Sequence, residues 1–377
     1  LSCIYEGIMV PIDAGLRIET RYFINTQQRP EAKAMIRSLF LSTQALSKGA
    51  NRPAGVPKYE LNKVAVIGAG LMGAGIAYEQ ARAGIETILV DVSVENAEKG
   101  KDYSRKLVEK NVSRGKMTKE KGEALLALIK PTANYDDFKG ADLVVEAVFE
   151  NPELKAKITQ MAEAQLSDTA VMGSNTSTLP ITGLAEASVR PANFIGIHFF
   201  SPVERMGLVE IISGKETSEE TLAKTIDYVL KIRKTPIVVN DSRGFYTSRC
   251  FGTYTQEGLE MLGEGIKPAI IENVGRQSGM PMGPLEVSDS VGLDTALKVG
   301  RQMAQAMGVD YTNDARGQMM AWLVEDQGRV GRKAGKGFYD YNEKGKPERL
   351  WPELNSQIDV KVDECPPALK KELTSRF

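Results

Sequence analysis

Three glycines followed by an aspartate carry the clearest chemical signal in the chain. Gly68, Gly70 and Gly73 form a GxGxxG run, with Leu71 and Met72 inside it and Ala74 and Gly75 directly after. In such a run the first glycine permits a tight turn and the second lets the backbone approach a pyrophosphate. The third allows a helix to sit close to a strand, so that phosphate oxygens meet the amides of a helix N-terminus. Asp91 stands about twenty residues on, the spacing at which a carboxylate accepts from both hydroxyls of a ribose. Its charge repels a 2′-phosphate, so the expected cofactor is NAD rather than NADP. A glycine-rich turn without a ligand shows the same letters, and context separates the two. KVAVIG, a continuous β-branched run, precedes the glycines; an alanine-rich helical stretch, AYEQARAG, follows; and ETILVD reads as a second buried strand ending in the acid.

His198 is the only histidine. An imidazole can take and return a proton near neutrality, yet a solitary histidine is more often a satisfied ring in a core or at a surface. Glu210 follows twelve positions later, and its neighbours Leu208, Val209, Ile211 and Ile212 favour burial over a surface acid. Asn175 and Ser177 lie in SNTS, a turn sequence in which both residue types commonly only cap backbone. Glu150 and Lys155 lie in VFENPELK, where Asn151, Pro152 and Glu153 suit the first turn of a helix and would give Glu150 a local role. Lys106, Lys110, Arg114 and Lys116 crowd one helical stretch, which is usually a solvated face and less often an anion site. Cys3, Cys250 and Cys365 are far apart with no CxxC pair, so neither structural zinc nor a disulfide framework is expected, and no metal site is read.

The scaffold for these residues can be read from the alternation of elements. With 377 residues, two domains plus connectors is the natural expectation. Lys+Arg of 48 against Asp+Glu of 49 leaves no overall field to gather nucleic acid or an anionic membrane. No apolar run approaches a membrane span, the opening LSCIYEGIMV lacks a basic head before a long apolar stretch, and the cysteines suit a reducing, cytoplasmic setting. Residues 1–58 read as a helical connector, broken by Gly49, Pro53, Gly55 and Pro57. Residues 59–240 alternate between strands and helices: strands at KVAVIG, ETILVD, ADLVVEAV, AVMGSN, NFIGIHF, LVEIISG and TPIVVN, with helices through 94–128, at PELKAKITQMAEAQ and at SEETLAKTIDYVLKIRK. Residues 241–340 turn mostly helical, punctuated at GMPMGPLE and GRKAGKGFYDY, and 341–377 form a tail. The expected fold class is α/β, a Rossmann-type, mostly parallel sheet followed by a smaller all-helical domain.

Taken in order, KVAVIGAGLMGAGIA, DLVVEAVFEN, SNTS, HFFSPV, LVEII, DSRGFYTSR, GMPMGPLEVSDSVGLD and GRKAGKGFYDY cover most of residues 60–341. This series resembles the L-3-hydroxyacyl-CoA dehydrogenases, including the dehydrogenase part of multifunctional fatty-acid oxidation proteins. The resemblance implies oxidation of a (S)-3-hydroxyacyl-CoA to the 3-oxoacyl-CoA with NAD in fatty-acid β-oxidation. It assigns His198 as the base and Glu210 as the acid that orients it, Ser177 as a donor near the substrate oxygen, and Glu150 and Lys155 to the nicotinamide end of the dinucleotide, with Asn175 nearby or bracing the loop. Ser248 occupies the position where many relatives carry asparagine in GFxxNR, so a shorter side chain stands there. Lys110 and Arg114 are weak candidates for CoA phosphates. Met280, Met282, Met303 and Met307 suit a pliable acyl-binding or subunit surface, although core filling is the commoner use.

The resemblance also implies a longer parent, with a hydratase before residues 1–58 and a second helical copy after 341–377, in complex with a thiolase. It further implies pairing of two subunits through residues 241–340. Two rivals stay open on the sequence. One is a dehydrogenase of a free hydroxy acid on the same scaffold. The other is an NAD-binding module that is inactive without the second helical copy.

Overall fold

The computed structural model describes residues 1–311 and 315–377, and the side chains of Met303 and Met307 lie outside the described residues. The chain divides into two units, Leu1–Tyr246 and Thr247–Phe377. The first is built on an eight-stranded sheet: β1 Lys63–Ile67, β2 Glu86–Val90, β3 Ile129–Thr132, β4 Leu143–Glu146, β5 Val171–Ser174, β6 Phe194–Phe199, β7 Leu208–Ser213 and β8 Thr235–Val239. Their spatial order is 3-2-1-4-5-6-7-8. Helical crossovers make β1 to β6 parallel, whereas the short segment 200–207 turns β7 antiparallel to β6, and β8 runs parallel to β7.

Helices cover both faces, so the central strands are apolar on both sides. Val64 and Val66 of β1 enter one core with Ile76, Leu89, Ile197 and Tyr228, while Ala65 and Ile67 enter the other with Val144, Met172, Phe194 and Phe245. The mostly parallel Rossmann-type sheet agrees with expectation. β3 was not expected: only Ile129 of this strand is buried, and Pro131 is tolerated because the strand is at the sheet edge.

Before the sheet, the helices Ser2–Gly7, Ile12–Gln27, Pro30–Met35 and Thr43–Ser47 contain no buried residue. The segment after them is tied down. Arg52 meets both carboxylate oxygens of Asp227 at 2.9 Å and donates to the Val56 and Pro57 carbonyls, and the Tyr59 amide also reaches Asp227. No described helix is long and apolar enough to cross a membrane.

The second unit is mainly helical, with helices Thr247–Gly263, Pro268–Gln277, Pro284–Val291 and Leu293–Met307 around Met261, Ile271, Leu285, Leu297 and Leu323. It departs from an all-helical expectation in an antiparallel pair of β9 (Tyr339–Tyr341) and β10 (Pro347–Leu350). The cause is a buried acid. Asp289, 1% exposed, accepts from the Phe338 and Tyr339 amides and the Tyr341 hydroxyl. A Cβ on Gly337 would lie 2.0 Å from its carboxylate, so the glycines of GRKAGKGFYDY make room for this contact. Beyond Tyr341 the chain packs back: Leu354, Ile358 and Leu373 are buried in this unit's core.

Candidate active site

Every parallel strand points its carboxyl end to one edge, and the order reverses direction at β1, between β2 and β4. Ligands of open α/β sheets bind outside the carboxyl ends at such a switch point. Gly68 follows β1, Asp91 follows β2, Glu150 follows β4, Asn175 and Ser177 follow β5, and His198 closes β6. Glu210 lies near the start of antiparallel β7, which brings it to the same edge.

The glycine turn fits a dinucleotide. Gly68 has φ +95°, in the left-handed region, and a Cβ on Gly73 would fall 1.7 Å from the Gly68 carbonyl. Gly70 meets no protein atom within 4 Å on its Cβ side, leaving that space for a pyrophosphate. It precedes the helix Leu71–Arg82, whose first internal bond is Ala74 N–H to the Gly70 carbonyl. The Leu71, Met72 and Gly73 amides therefore have no acceptor within the helix and point toward where phosphate would sit. Asp91 braces this turn, one carboxylate oxygen accepting from the Ala69 amide at 2.7 Å and the other from the Val92 amide at 2.8 Å and Asn96 Nδ2 at 3.3 Å. Carboxylate oxygens have further lone pairs with which to accept from ribose hydroxyls.

His198 and Glu210 are direct partners in the β6–β7 register. Residues opposite each other in an antiparallel pair project to the same face, and His198 Nδ1 lies 2.7 Å from Glu210 Oε2. Glu210 is fully buried and His198 is 6% exposed. The second carboxylate oxygen, Oε1, accepts from the Tyr246 amide at 3.1 Å. Phe200 and Phe245 flank the imidazole at ring-centre distances of 4.5 and 5.9 Å. Held at Nδ1, the ring presents Nε2 as the nitrogen with no protein hydrogen bond among the described residues.

Asn175 sits beside this pair, its Oδ1 accepting from the Phe199 amide at 3.0 Å, so it ties the turn after β5 to the end of β6. Two residues on, Ser177 is bound to Glu150: amide and hydroxyl both donate to Oε1, at 2.7 and 2.9 Å. The Thr176 and Thr178 hydroxyls donate to Oε2. Burial pushes the Glu150 carboxyl up. The Ser177 amide, the Thr178 and Ser177 hydroxyls and the charge of Lys155 outweigh that push and hold it below the usual range. The Ser177 proton is thus directed at Glu150 in this structure.

Lys155 is 1% exposed, and its Nζ donates to both oxygens of Glu146 at 2.8 Å and to the Asn175 carbonyl at 3.4 Å. Glu146 also accepts from the Val148 amide and the Ser174 hydroxyl. Such full coordination lets a buried pair persist despite its desolvation cost. It makes Lys155 a brace between β4, β5 and the following helix. Glu146 was missed in the sequence, although an acid closing the apolar run LVV was a visible signal.

The other candidates are not drawn to this edge. Lys110 and Arg114 are exposed at the far end of the helix Val94–Ser113. At 1.5 Å per residue that end is about 25–30 Å from the helix start beside Asp91. Lys106 and Lys116 are likewise exposed. Ser248 belongs to the second unit, in the first turn of Thr247–Gly263. In the same unit the Met282 carbonyl accepts from the Tyr254 hydroxyl, and Met280 is exposed. No group of His, Cys, Asp and Glu suited to a metal occurs among the described residues.

Residues 63–242 match the family described as "3-hydroxyacyl-CoA dehydrogenase, NAD binding domain" and 244–341 match "3-hydroxyacyl-CoA dehydrogenase, C-terminal domain". The fatty acid oxidation complex subunit alpha of Psychrobacter arcticus is 38% identical over 95% of this chain and 50% of its own length. That of Pseudomonas syringae pv. syringae is 39% identical over 90% and 47%. The chain thus spans about half the length of the curated relatives it matches. Among solved structures, (S)-3-hydroxybutyryl-CoA dehydrogenase PaaH1 from Ralstonia eutropha superposes with a TM-score of 0.69 at 35% identity, covering 75% of this chain and all of that one. Two successive domain matches and a structural counterpart matched over its whole length lead to one conclusion: the chain belongs to the 3-hydroxyacyl-CoA dehydrogenase family.

Proposed function

We propose that this chain oxidises the 3-hydroxyl of a (S)-3-hydroxyacyl-CoA to the 3-oxoacyl-CoA with NAD, as a step of fatty-acid β-oxidation. The observation that carries this reading is the buried pair His198–Glu210 at the carboxyl edge of a dinucleotide-binding sheet. Removing hydride from a carbinol carbon requires the hydroxyl proton to leave, and His198 Nε2 takes it. Glu210 keeps the other ring proton on Nδ1, which leaves the Nε2 lone pair free, and it stabilises the imidazolium that forms. The nicotinamide, when bound, supplies the acceptor for hydride. The Leu71–Gly73 amides hold the pyrophosphate and Asp91 the adenosine ribose, whose 2′-phosphorylated form its charge disfavours. Ser177 lies on the turn that Asn175 ties to Phe199; its proton goes to Glu150 here, and donation to the substrate oxygen requires that bond to be exchanged.

Steady-state NADH oxidation by this chain with acetoacetyl-CoA, set against free acetoacetate, tests the reading. Turnover of the thioester that vanishes in His198→Ala supports it, turnover of the free acid alone favours a hydroxy-acid dehydrogenase, and silence with both favours a binding module. Dimerisation through residues 241–340, a thiolase partner for the longer parent and a cytoplasmic setting belong to the same proposal. A strictly monomeric mass in solution counts against the first.

A further inference from the structure

The segment 200–207 joins the two strands that bear His198 and Glu210, and one buried cation holds it. Lys234 is 6% exposed, and its Nζ donates to the Val203 carbonyl at 2.6 Å and the Met206 carbonyl at 2.7 Å. Its nearest anion is Glu79 at 3.7 Å, a 1%-exposed acid on the dinucleotide helix Leu71–Arg82 that also pairs with Arg82 at 2.7 Å. The same segment touches that helix directly: a Cβ on Gly75 would lie 2.8 Å from Val203 Cβ, and Val203 is 2% exposed.

The backbone is distorted to deliver this lysine. The helix Glu219–Lys231 ends with Arg233 at φ 59°, a left-handed conformation that costs a Cβ-bearing residue about 1–2 kcal/mol. The next residue, Lys234, then points into the interior, and the Thr235 amide after it bonds the Gly207 carbonyl to begin β8. Burying an ammonium is costly. An apolar side chain would fill this space more cheaply if filling space were the only requirement.

We propose that Lys234 is a positioning residue: by pinning the Val203 and Met206 carbonyls and facing Glu79, it fixes the His198–Glu210 hairpin against the helix that carries the dinucleotide. This rests on the proposed dehydrogenase reading. A misplacement of about 1 Å at a reacting group can cost about 100-fold in rate without loss of binding. Lys234→Met therefore lowers kcat by about 10- to 100-fold per NADH-binding site, with KM for NADH and for acetoacetyl-CoA changed less than about threefold.

The assay counts NADH sites by fluorescence titration, so that loss of folded protein is not read as loss of turnover. Gly75→Ala approaches the same contact from the helix side and keeps Lys234. It pushes Val203 outward and gives the same fall in kcat with KM retained, which covers the case in which Lys234→Met does not fold. An unchanged kcat per site in either folded variant overturns the proposal, as does a fall in kcat matched by an equal loss of NADH affinity. Wild-type chain and His198→Ala are run alongside: an inactive wild type sinks the dehydrogenase reading itself, whereas an active wild type with an active Lys234→Met sinks only the role of Lys234.

Discussion

Replacing Glu210 by glutamine changes one atom and tests the core of the mechanism. Glutamate has two acceptor oxygens here, Oε1 for the Tyr246 amide and Oε2 for His198 Nδ1. Glutamine has one oxygen. If that oxygen stays with Tyr246, the side-chain NH2 faces Nδ1, which must then accept, and the ring proton moves to Nε2, where the base should be. The charge is lost as well. Two unit charges about 4 Å apart at an effective dielectric of about 20 attract by about 4 kcal/mol. Exchanging a charged for a neutral hydrogen bond costs about 1–2 kcal/mol, so allowing for overlap between these effects the imidazolium loses about 3–5 kcal/mol. At about 1.4 kcal/mol per decade this is a fall in kcat of roughly 100- to 3000-fold. Glu210 is fully buried behind the ring, so KM for acyl-CoA and NADH changes less than about threefold. Stopped-flow and steady-state NADH oxidation with acetoacetyl-CoA measure both quantities, and a thermal melt checks the fold. A Glu210→Gln chain that turns over within threefold of wild type refutes the reasoning.

Other consequences can be measured independently. Asp91→Ala removes the acceptor beside the glycine turn: NADH binding weakens by about 10- to 150-fold and the preference over NADPH shrinks, from the loss of charged hydrogen bonds of about 1.5–3 kcal/mol; fluorescence titration with both cofactors decides it. Arg233→Gly relieves the left-handed backbone and raises stability by about 0.5–1 kcal/mol, read from urea midpoints; no gain means that the turn is not strained. Burial pushes Asp289 up to about 6 against its ordinary 3.8. Its folded form therefore favours the proton, and the stability this gives is full below about pH 4 and lost as pH rises through about 6. Stability of the second unit should rise between pH 7.5 and pH 5 by about 1.4 kcal/mol from this group, roughly half of its full effect, and a flat or falling profile counts against the assignment.

The sheet was legible because buried parallel strands are written as continuous β-branched runs, and KVAVI, ETILV and LVVE name themselves. β3 hid because IKPT buries a single residue and carries a proline. The glycine turn and Asp91 were readable from spacing, since backbone chemistry there demands particular residues. The His198–Glu210 contact was not readable from spacing and came only through the family resemblance: twelve positions apart, the two meet through hairpin register, which is a tertiary property. Glu146, Lys234 and Asp289 were passed over for one shared reason. A buried charge looks like any surface charge until its partners are known, and those partners are largely backbone groups that no letter records.

The pairing of β6 with β7 sets a parity rule on this hairpin. The connecting residues 200–207 can change without moving the imidazole from its acid only where the two strands keep their alignment and Val203 and Met206 keep their contacts with Lys234. A slip by a single residue instead turns every β7 side chain to the other side of the sheet, exchanging the carboxylate for a neighbouring aliphatic and stranding the acid in an apolar layer. Loop grafting or insertional tagging at this turn should therefore be judged by strand alignment and by survival of the Lys234 contacts rather than by the number of residues inserted.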